Sequence, residues 1–344
     1  MNNELAPIIA AAFFPGVPLT HIEQVGEGMI NQTWRMETGS SQWLLQCINT
    51  ALFRQPNALM ANMAAIARHL NEDAAYPLRV AAPVPTADGQ LTFEAPDGTC
   101  WRVFPYFDNT FAPERLPTPG QAYEAAGAYT LFIKSLRNFP GQTLYEPLPG
   151  FHDTMARYTQ FRKVLKADLV GRKRIVEQEI NQLFAAEKYA VEVDSLIRSG
   201  QLPQRVVHND TKAGNVLLDS MTGKAVAVID WDTVMPGIVL SDYGDMVRTF
   251  VSDRYEDDPA EGLVVRKDVL NALNEGFLAV AGDFLTEMEI TYLSLGARWI
   301  ITEQALRFLT DYVAGDVYYK VKDGEHNLRR SRNQLALLAA LERH

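Results

Sequence analysis

Along the first hundred residues the apolar positions come in short β-branched or aromatic runs. IEQVGEG, INQTWRME and QWLLQCIN are such runs, separated by the turn-forming stretches GEGM and TGSS, and they predict strands. PNALMANMAAIARHLNE, residues 56–72, instead repeats apolar residues at helical spacing behind a proline start, which predicts a helix. QLTFEA and TCWRVFPYF flank PDG and predict a hairpin. DNTFAPERLPTPG, residues 108–120, is rich in proline and has no period, so it is expected to join two lobes. Beyond it the pattern changes. QAYEAAGAYTLFIKSLRNF reads as one amphipathic helix, and residues 154–200 as two or three more that stop at a glycine. Residues 205–230 return to short strands, and 265–342 are helical again. No internal repeat or low-complexity tract interrupts the series. The expected architecture is α+β: a β-rich lobe over 1–107, a linker over 108–120, and a larger, mainly helical lobe over 121–344.

Composition narrows the class of partner. A chain of 344 residues with 47% apolar and 22% charged residues can bury a large core. Its formal charge of −10 weighs against nucleic acid or an anionic membrane, both of which ask for a basic face. A small anionic ligand needs only a local patch and stays open. Cys47 and Cys100 form no Cys-x-x-Cys unit, so two reduced thiols are expected rather than a disulfide framework or a zinc site. The N-terminal MNNELAPIIAAAFFPG has no basic leader region and is broken by prolines, and no apolar run is long enough to span a bilayer. A cytoplasmic location is expected.

The candidate chemistry is concentrated in VVHNDTKAGNVLLD and the VIDWDTVMPG that follows it. NVLLD and AVAVID read as two strands joined by SMTGK. With the turn centred near Thr222, Asn215 at the start of one strand faces the end of the other, where Asp230 sits. Two oxygen-bearing side chains then meet at the mouth of the hairpin. Mg²⁺ is held in this way, by one or two protein oxygens together with phosphate oxygens and water. Asp210, five residues before Asn215, lies on the loop into the same mouth and is placed to orient a hydroxyl nucleophile. The order His208, Asp210, Asn215 and a later Asp230 matches the kinase pattern, in which an Asp accepts the hydroxyl proton and an Asn and a second Asp hold metal. Lys212 stands where serine/threonine kinases carry the lysine that touches the transferred phosphoryl group.

HND in place of HRD, and DWD in place of DFG, point away from protein kinases. The sequence resembles the aminoglycoside phosphotransferase and choline kinase superfamily. More narrowly, HNDTKxxNVLLD, VIDWDTVMPG and SDYGDMVR are similar to the bacterial N-acetylhexosamine 1-kinases, as are GEGMINQTW, FHDTMARY and RFLTDYVAGDVYY with HNLRRSRNQL. The resemblance covers nearly the whole chain. It implies a protein-kinase-like two-lobed fold, ATP as phosphoryl donor, Mg²⁺, and transfer to a sugar hydroxyl, most simply the anomeric hydroxyl of an amino sugar.

On the nucleotide side, Gly26 and Gly28 in GEGMINQTW would let backbone approach phosphates, with Asn31 and Thr33 in reach of phosphate or sugar. One kinase element is missing: the third strand offers Gln46 where a phosphate-pairing lysine is expected, and the helix after it has no Glu partner. Lys212 and Arg35 are the alternative cations. Asp242 or Asp245 is expected to brace the catalytic loop, and Asp232 either touches metal or caps a turn. On the acceptor side Glu303, Arg307 and Asp311 recur every four residues on one helix face, the spacing of a solvent-facing charge ladder. The resemblance implies instead that Arg307, Asp311 and Tyr318 contact the acceptor. HNLRRSRNQ reads as a solvated helix face, and His152 with Asp153 as a helix cap. Two rival functions remain open: the same transfer to another alcohol such as an aminoglycoside, choline, methylthioribose or homoserine, and a binding protein on an inactive kinase scaffold.

Overall fold

The computed structural model describes residues 5–25, 30–113 and 117–343, so Gly26 and Gly28 lie outside the described residues. The N-terminal part is a twisted antiparallel sheet built from β1 (Leu19–Gln24), β2 (Gln32–Thr38), β3 (Ser41–Ile48), β4 (Phe93–Glu94) and β5 (Cys100–Pro105), in the order β1-β2-β3-β5-β4. Its two faces follow from strand alternation. Trp34, Leu45 and Val103 pair across β2, β3 and β5 on one face. Against them packs α1 (Leu5–Phe13), a helix the proline-broken N-terminus did not predict. Its buried residues, Ala6, Ile9, Ala10 and Phe13, have the i, i+3, i+4, i+7 spacing of one apolar stripe, and Pro7 falls in the first turn, where a missing N–H is harmless. The opposite face carries a polar row: Thr33, Gln46 and Arg102 stand side by side in register. α2 (Pro56–Glu72) packs on that side through Leu59, Met60, Met63, Ile66 and Leu70, and its bounds are those the apolar period predicted.

The chain crosses to the helical part through a region where β6 (Thr110–Phe111) pairs with a strand of the hairpin far ahead in sequence. Then come α3 (Pro119–Ser135), α4 (Thr154–Ala167) and α5 (Glu177–Arg198). α3 opens on a capping box between Thr118 and Gln121. β7 (Arg205–Val207) leads into the catalytic loop, β8 (Val216–Asp219) and β9 (Ala225–Val228) form the expected hairpin, and β10 (Met235–Gly237) returns beside β7. The remainder is α6 (Val239–Phe250), α7 (Lys267–Ala281), α8 (Glu287–Thr291), α9 (Leu293–Ala314) and α10 (His326–Glu342). One apolar cluster runs from α2 through α3, α6, α7, α9 and α10, so the two parts share a core. Among the described residues no helix is long and apolar enough to cross a membrane.

Two surface readings are corrected here. The stretch HNLRRSRNQ is not a solvated face: His326, Asn327, Ser331, Asn333 and Gln334 are buried, and Arg330 lies 3.7 Å over the Phe308 ring while paired with Glu256. Glu303 and Asp311 are likewise buried, at 2% and 4% exposure, not rungs of a solvent ladder. Polar residues on these helices face inward because each finds a charged or amide partner there.

α6 carries Asp242 and Asp245, which hold the loop after β7, and its depth is set by one close crossing. A Cβ added at Gly244 would stand 2.4 Å from the carbonyl oxygen of Gly296 on α9. Backbone cannot yield as a side-chain tip can. Gly244→Ala is therefore expected to lower the unfolding free energy by about 3 kcal/mol, the upper part of the usual overpacking cost, as measured by urea denaturation. A variant as stable as the parent would show that the α6–α9 crossing is loose.

Candidate active site

The hairpin closes as the sequence suggested, one position from the predicted pairing. Val216 pairs with Val228, and the amide of Ile229 donates to the carbonyl of Asn215 at 2.9 Å. Asp230 follows at once with φ of 62°, a left-handed turn that swings it out of the strand toward the catalytic loop. Asn215 reaches back to that loop: its Nδ2 donates to both the backbone oxygen and Oδ2 of Asp210, each at 2.9 Å. Lys212 Nζ lies 2.9 Å from Asp210 Oδ2 and 3.7 Å from Asp230 Oδ2. Asp210, Lys212, Asn215 and Asp230 thus converge on one point at the mouth of the hairpin.

The loop itself is held by acids on α6. Asp242 accepts the amides of His208 and Asn209, both at 2.7 Å, and Asp245 accepts that of Thr211 at 2.8 Å. Thr211 Oγ1 donates to the carbonyl of Asp242, and Arg248 pairs with Asp245 at 2.9 Å. Both acids brace the loop, so the choice between them falls away. Asn209 takes φ of 64° and is fixed by its Nδ2 donating to Thr233 O at 2.9 Å. Such a conformation in a non-glycine residue persists only where its neighbours hold it. His208 is fully buried, which lowers its pKa and keeps it neutral. Nδ1 accepts the Asp210 amide at 3.3 Å, and Nε2 lies 2.9 Å from Ile229 O, an arrangement that suits the Nε2–H tautomer. His208 is a strut between loop and hairpin.

Electrostatics separates the two outer carboxylates. Burial would raise Asp210, but Lys212 and Asn215 outweigh it and hold the pKa below the usual carboxylate range. Lys212 is pushed up, because Asp210 and Asp230 override its desolvation. Asp230 goes the other way. The protein around it, with the carboxylates of Asp232 and Asp210, pushes it up to about 6 although 37% of its side chain meets solvent. Among the described residues its one ion pair is the long one to Lys212. A carboxylate short of positive charge beside an amide oxygen of Asn215 that no described residue donates to is a fit for a hard divalent cation that brings phosphate oxygens with it. No cluster of three or more His, Cys, Asp or Glu among the described residues is placed to hold a metal by itself.

On the nucleotide side the structure turns the expected residues toward one another. Asn31 donates to Asp232 at 2.6 Å and accepts the Asn49 amide at 3.0 Å. Gln46 donates to Thr33 at 3.2 Å and accepts Arg102 Nε at 2.9 Å. Arg35 is paired with Glu23 at 2.9 Å and Glu37 at 3.6 Å. Arg102, which the sequence reading passed over, makes a two-pronged ion pair with Asp232. Its signal was its register opposite Gln46, which only strand pairing reveals.

On the acceptor side, Arg307 lies between the rings of Phe151 and Tyr319, 5.6 Å and 5.7 Å from their centroids. Asp311 faces the protein: its carboxylate accepts the amides of Val317, Tyr318 and Tyr319 and Nδ2 of Asn327, at 2.8–3.0 Å. It shapes the turn that presents Tyr318, whose residue is 66% exposed. Asp153 caps α4 through the Ala156 amide as expected, whereas His152 does not; its ring pairs with Glu303 at 2.9 Å.

Comparison with known proteins now adds to the geometry. The family model APH, described as a phosphotransferase enzyme family, matches residues 21–273. An aminoglycoside phosphotransferase from Alicyclobacillus acidocaldarius superposes with a TM-score of 0.64 at 15% identity, over 98% of this chain and 95% of its own. A spectinomycin phosphotransferase in complex with ADP and spectinomycin gives 0.59 at 14%, over 100% and 99%. A microcompartment-associated aminopropanol kinase gives 0.58 at 16%, over 99% and 97%. At these identities the likeness is one of fold, and it confirms the kinase-like two-lobed arrangement.

Glu303 ties α9 to the start of α4, where it also takes the hydroxyl of Thr154 and lies 3.6 Å from Arg157. Burial would raise its pKa, yet His152 and Arg157 hold it down to about 2. A carboxyl whose folded pKa is depressed adds stability above its unfolded value of about 4.3 and loses it as pH falls toward the folded one. Wild type is expected to exceed Glu303→Gln by about 3 kcal/mol at neutral pH, with the gap closing as pH falls from about 4.3 toward 2. Urea unfolding at a series of pH values checks this; a gap indifferent to pH would contradict the pairing.

Proposed function

The chain belongs to the APH phosphotransferase enzyme family, kinases of small-molecule hydroxyl groups, and we propose that it transfers the γ-phosphoryl group of ATP to a sugar hydroxyl, the anomeric hydroxyl of an N-acetylhexosamine being the favoured acceptor. The observation that carries the reaction class is the convergence of Asp210, Lys212, Asn215 and Asp230 at the hairpin mouth. In this reading residues 1–107 take the nucleotide, 108–120 join the lobes, and 121–344 carry the catalytic and acceptor groups.

Asp210 sits with a depressed pKa and so is ionised at neutral pH, ready to orient the acceptor hydroxyl and take its proton. Lys212 steadies the γ-phosphate and keeps Asp210 charged until substrate arrives. Asn215 and Asp230 hold Mg²⁺, which when bound neutralises charge on the phosphates. Phosphoryl transfer asks the protein mainly for placement and charge neutralisation, and this site offers both. Support for an adenine nucleotide comes from the spectinomycin phosphotransferase, whose structure contains ADP. Support for an uncharged, hydroxyl-rich acceptor comes from Arg307 near the rings of Phe151 and Tyr319, the latter packed on the ring of exposed Tyr318. An amine-bearing acceptor would instead call for a free acid at that wall, and the acids close by in sequence are committed: Glu303 to His152 and Thr154, Asp311 to backbone amides, Asp316 to Arg172.

ADP release with Mg·ATP across a panel of N-acetylhexosamines, other sugars, aminoglycosides and amino alcohols tests the acceptor. Turnover is expected on N-acetylhexosamines; turnover confined to aminoglycosides or amino alcohols would discard the sugar. Asp210→Asn is expected to lower kcat by about 10²–10⁴ with the melting temperature retained. A variant as fast as wild type would remove Asp210 from its role, and nucleotide binding without turnover on any acceptor would favour a binding protein.

A further inference from the structure

The structure has a buried arginine where a kinase of this plan would be expected to show a lysine one strand away. Resting on the phosphotransfer reading, we propose that Arg102 is a positioning residue: it locks the metal-bearing loop of the C-terminal lobe onto the N-terminal sheet by gripping Asp232, and so replaces a third-strand lysine without touching phosphate.

All three nitrogens of Arg102 are engaged. Nη1 and Nη2 grip the two carboxylate oxygens of Asp232 at 2.5 Å and 2.8 Å, and Nε donates to Gln46 at 2.9 Å. Nη1 also lies 3.7 Å and 3.8 Å from the sulfurs of Met60 and Met63, and the guanidinium stands 5.2 Å from the Phe104 ring centroid. The residue is 1% exposed, so its charge does not face the cleft. A lysine in this place could not make the planar two-pronged contact, which is the reason for an arginine. Among the described residues Asp232 is gripped from the N-terminal side, by Arg102 on β5 and by Asn31, which is itself pinned to Asn49.

What the lock holds is short and strained. Asp232 lies two residues from Asp230, within the single 3-10 turn Trp231–Thr233, and Asp230 takes φ of 62°. Trp231 Nε1 is tied to Val228 O at 2.9 Å, so the turn has little slack. Moving Asp232 therefore moves Asp230. A buried ion pair adds little net stability, but it fixes position. Here it fixes the direction of a metal ligand, as partners behind a ligand commonly do.

Binding of Mn²⁺ in the presence of saturating ADP, followed by the electron paramagnetic resonance of free Mn²⁺, tests the lock apart from any acceptor. The proposal expects Arg102→Met to weaken Mn²⁺ by about 10–100-fold, with ADP binding in EDTA, measured by calorimetry, unchanged. Arg102→Met leaves Asp232 buried without its partner and is a risk to folding. The double variant Arg102→Met, Asp232→Leu removes both charges and is expected to keep its melting temperature while losing Mn²⁺ affinity to the same extent. Folded variants with unaltered Mn²⁺ affinity would overturn the proposal. Loss of ADP affinity in EDTA would also overturn it, by making Arg102 a phosphate contact. A wild type that binds neither ADP nor Mn²⁺ with it would instead sink the phosphotransfer reading on which the lock rests.

Discussion

The site depends on two carboxylates of α6 accepting the backbone amides of the catalytic loop. Asp242 takes those of His208 and Asn209, and Asp245 that of Thr211. Without them the loop would have three buried donors without partners, and the left-handed Asn209 would keep only its side-chain contacts. The grip has a cost, since burial raises Asp242 to about 7 even against its two amide bonds. A buried acid at the limit of its ionisation is an expensive way to hold a loop. What it secures is the direction of Asp210, whose carboxylate leaves this clasp pointing at the hairpin mouth, where Lys212 and Asn215 meet it. The clasp in turn needs α6 deep in the core, and Gly244 against Gly296 is how α6 gets there.

Charge is distributed in the same ordered way around the mouth. Asp210 is stabilised as an anion, while Asp230 is left short of positive charge, a difference in keeping with the proposed roles of one toward the hydroxyl and the other toward a cation. A third carboxylate, Asp232, adds to the repulsion on Asp230, and Arg102, which grips it from the N-terminal sheet, offsets part of that. The chain thereby keeps Asp210, Asp230 and Asp232 in separate roles, where a looser arrangement would have protonated one of them.

Much of this was legible in the sequence because its periods are local. The catalytic loop, the hairpin and α2 each rest on spacing within some twenty residues, and α2 ends where its apolar stripe ends. α6 was missed although Val239, Leu240, Tyr243, Met246, Val247 and Phe250 recur at helical spacing; its other face, with Asp242 and Asp245, is buried against the loop instead of meeting solvent. The lock between Arg102 and Asp232 spans 130 positions and depends on strand register, which no local pattern encodes. HNLRRSRNQ misled for the opposite reason. Its composition looks solvated, but Asn327 meets Asp311 and Asp316, and Arg330 meets Glu256, partners supplied by segments distant in sequence. Asp311 is expected at the acceptor from the resemblance, yet three backbone amides occupy its carboxylate, and only the folded turn shows that.

The most direct test of the account is the identity of the phosphorylated product. Wild-type protein with Mg·ATP and N-acetylglucosamine, followed by ³¹P NMR, is predicted to give ADP and a new phosphomonoester signal coupled to the anomeric proton. A spectrum showing only ADP and inorganic phosphate, or the same products with and without sugar, would mean that the hairpin mouth does not deliver the phosphoryl group to a sugar hydroxyl, and would contradict the assignment of Asp210 to that acceptor.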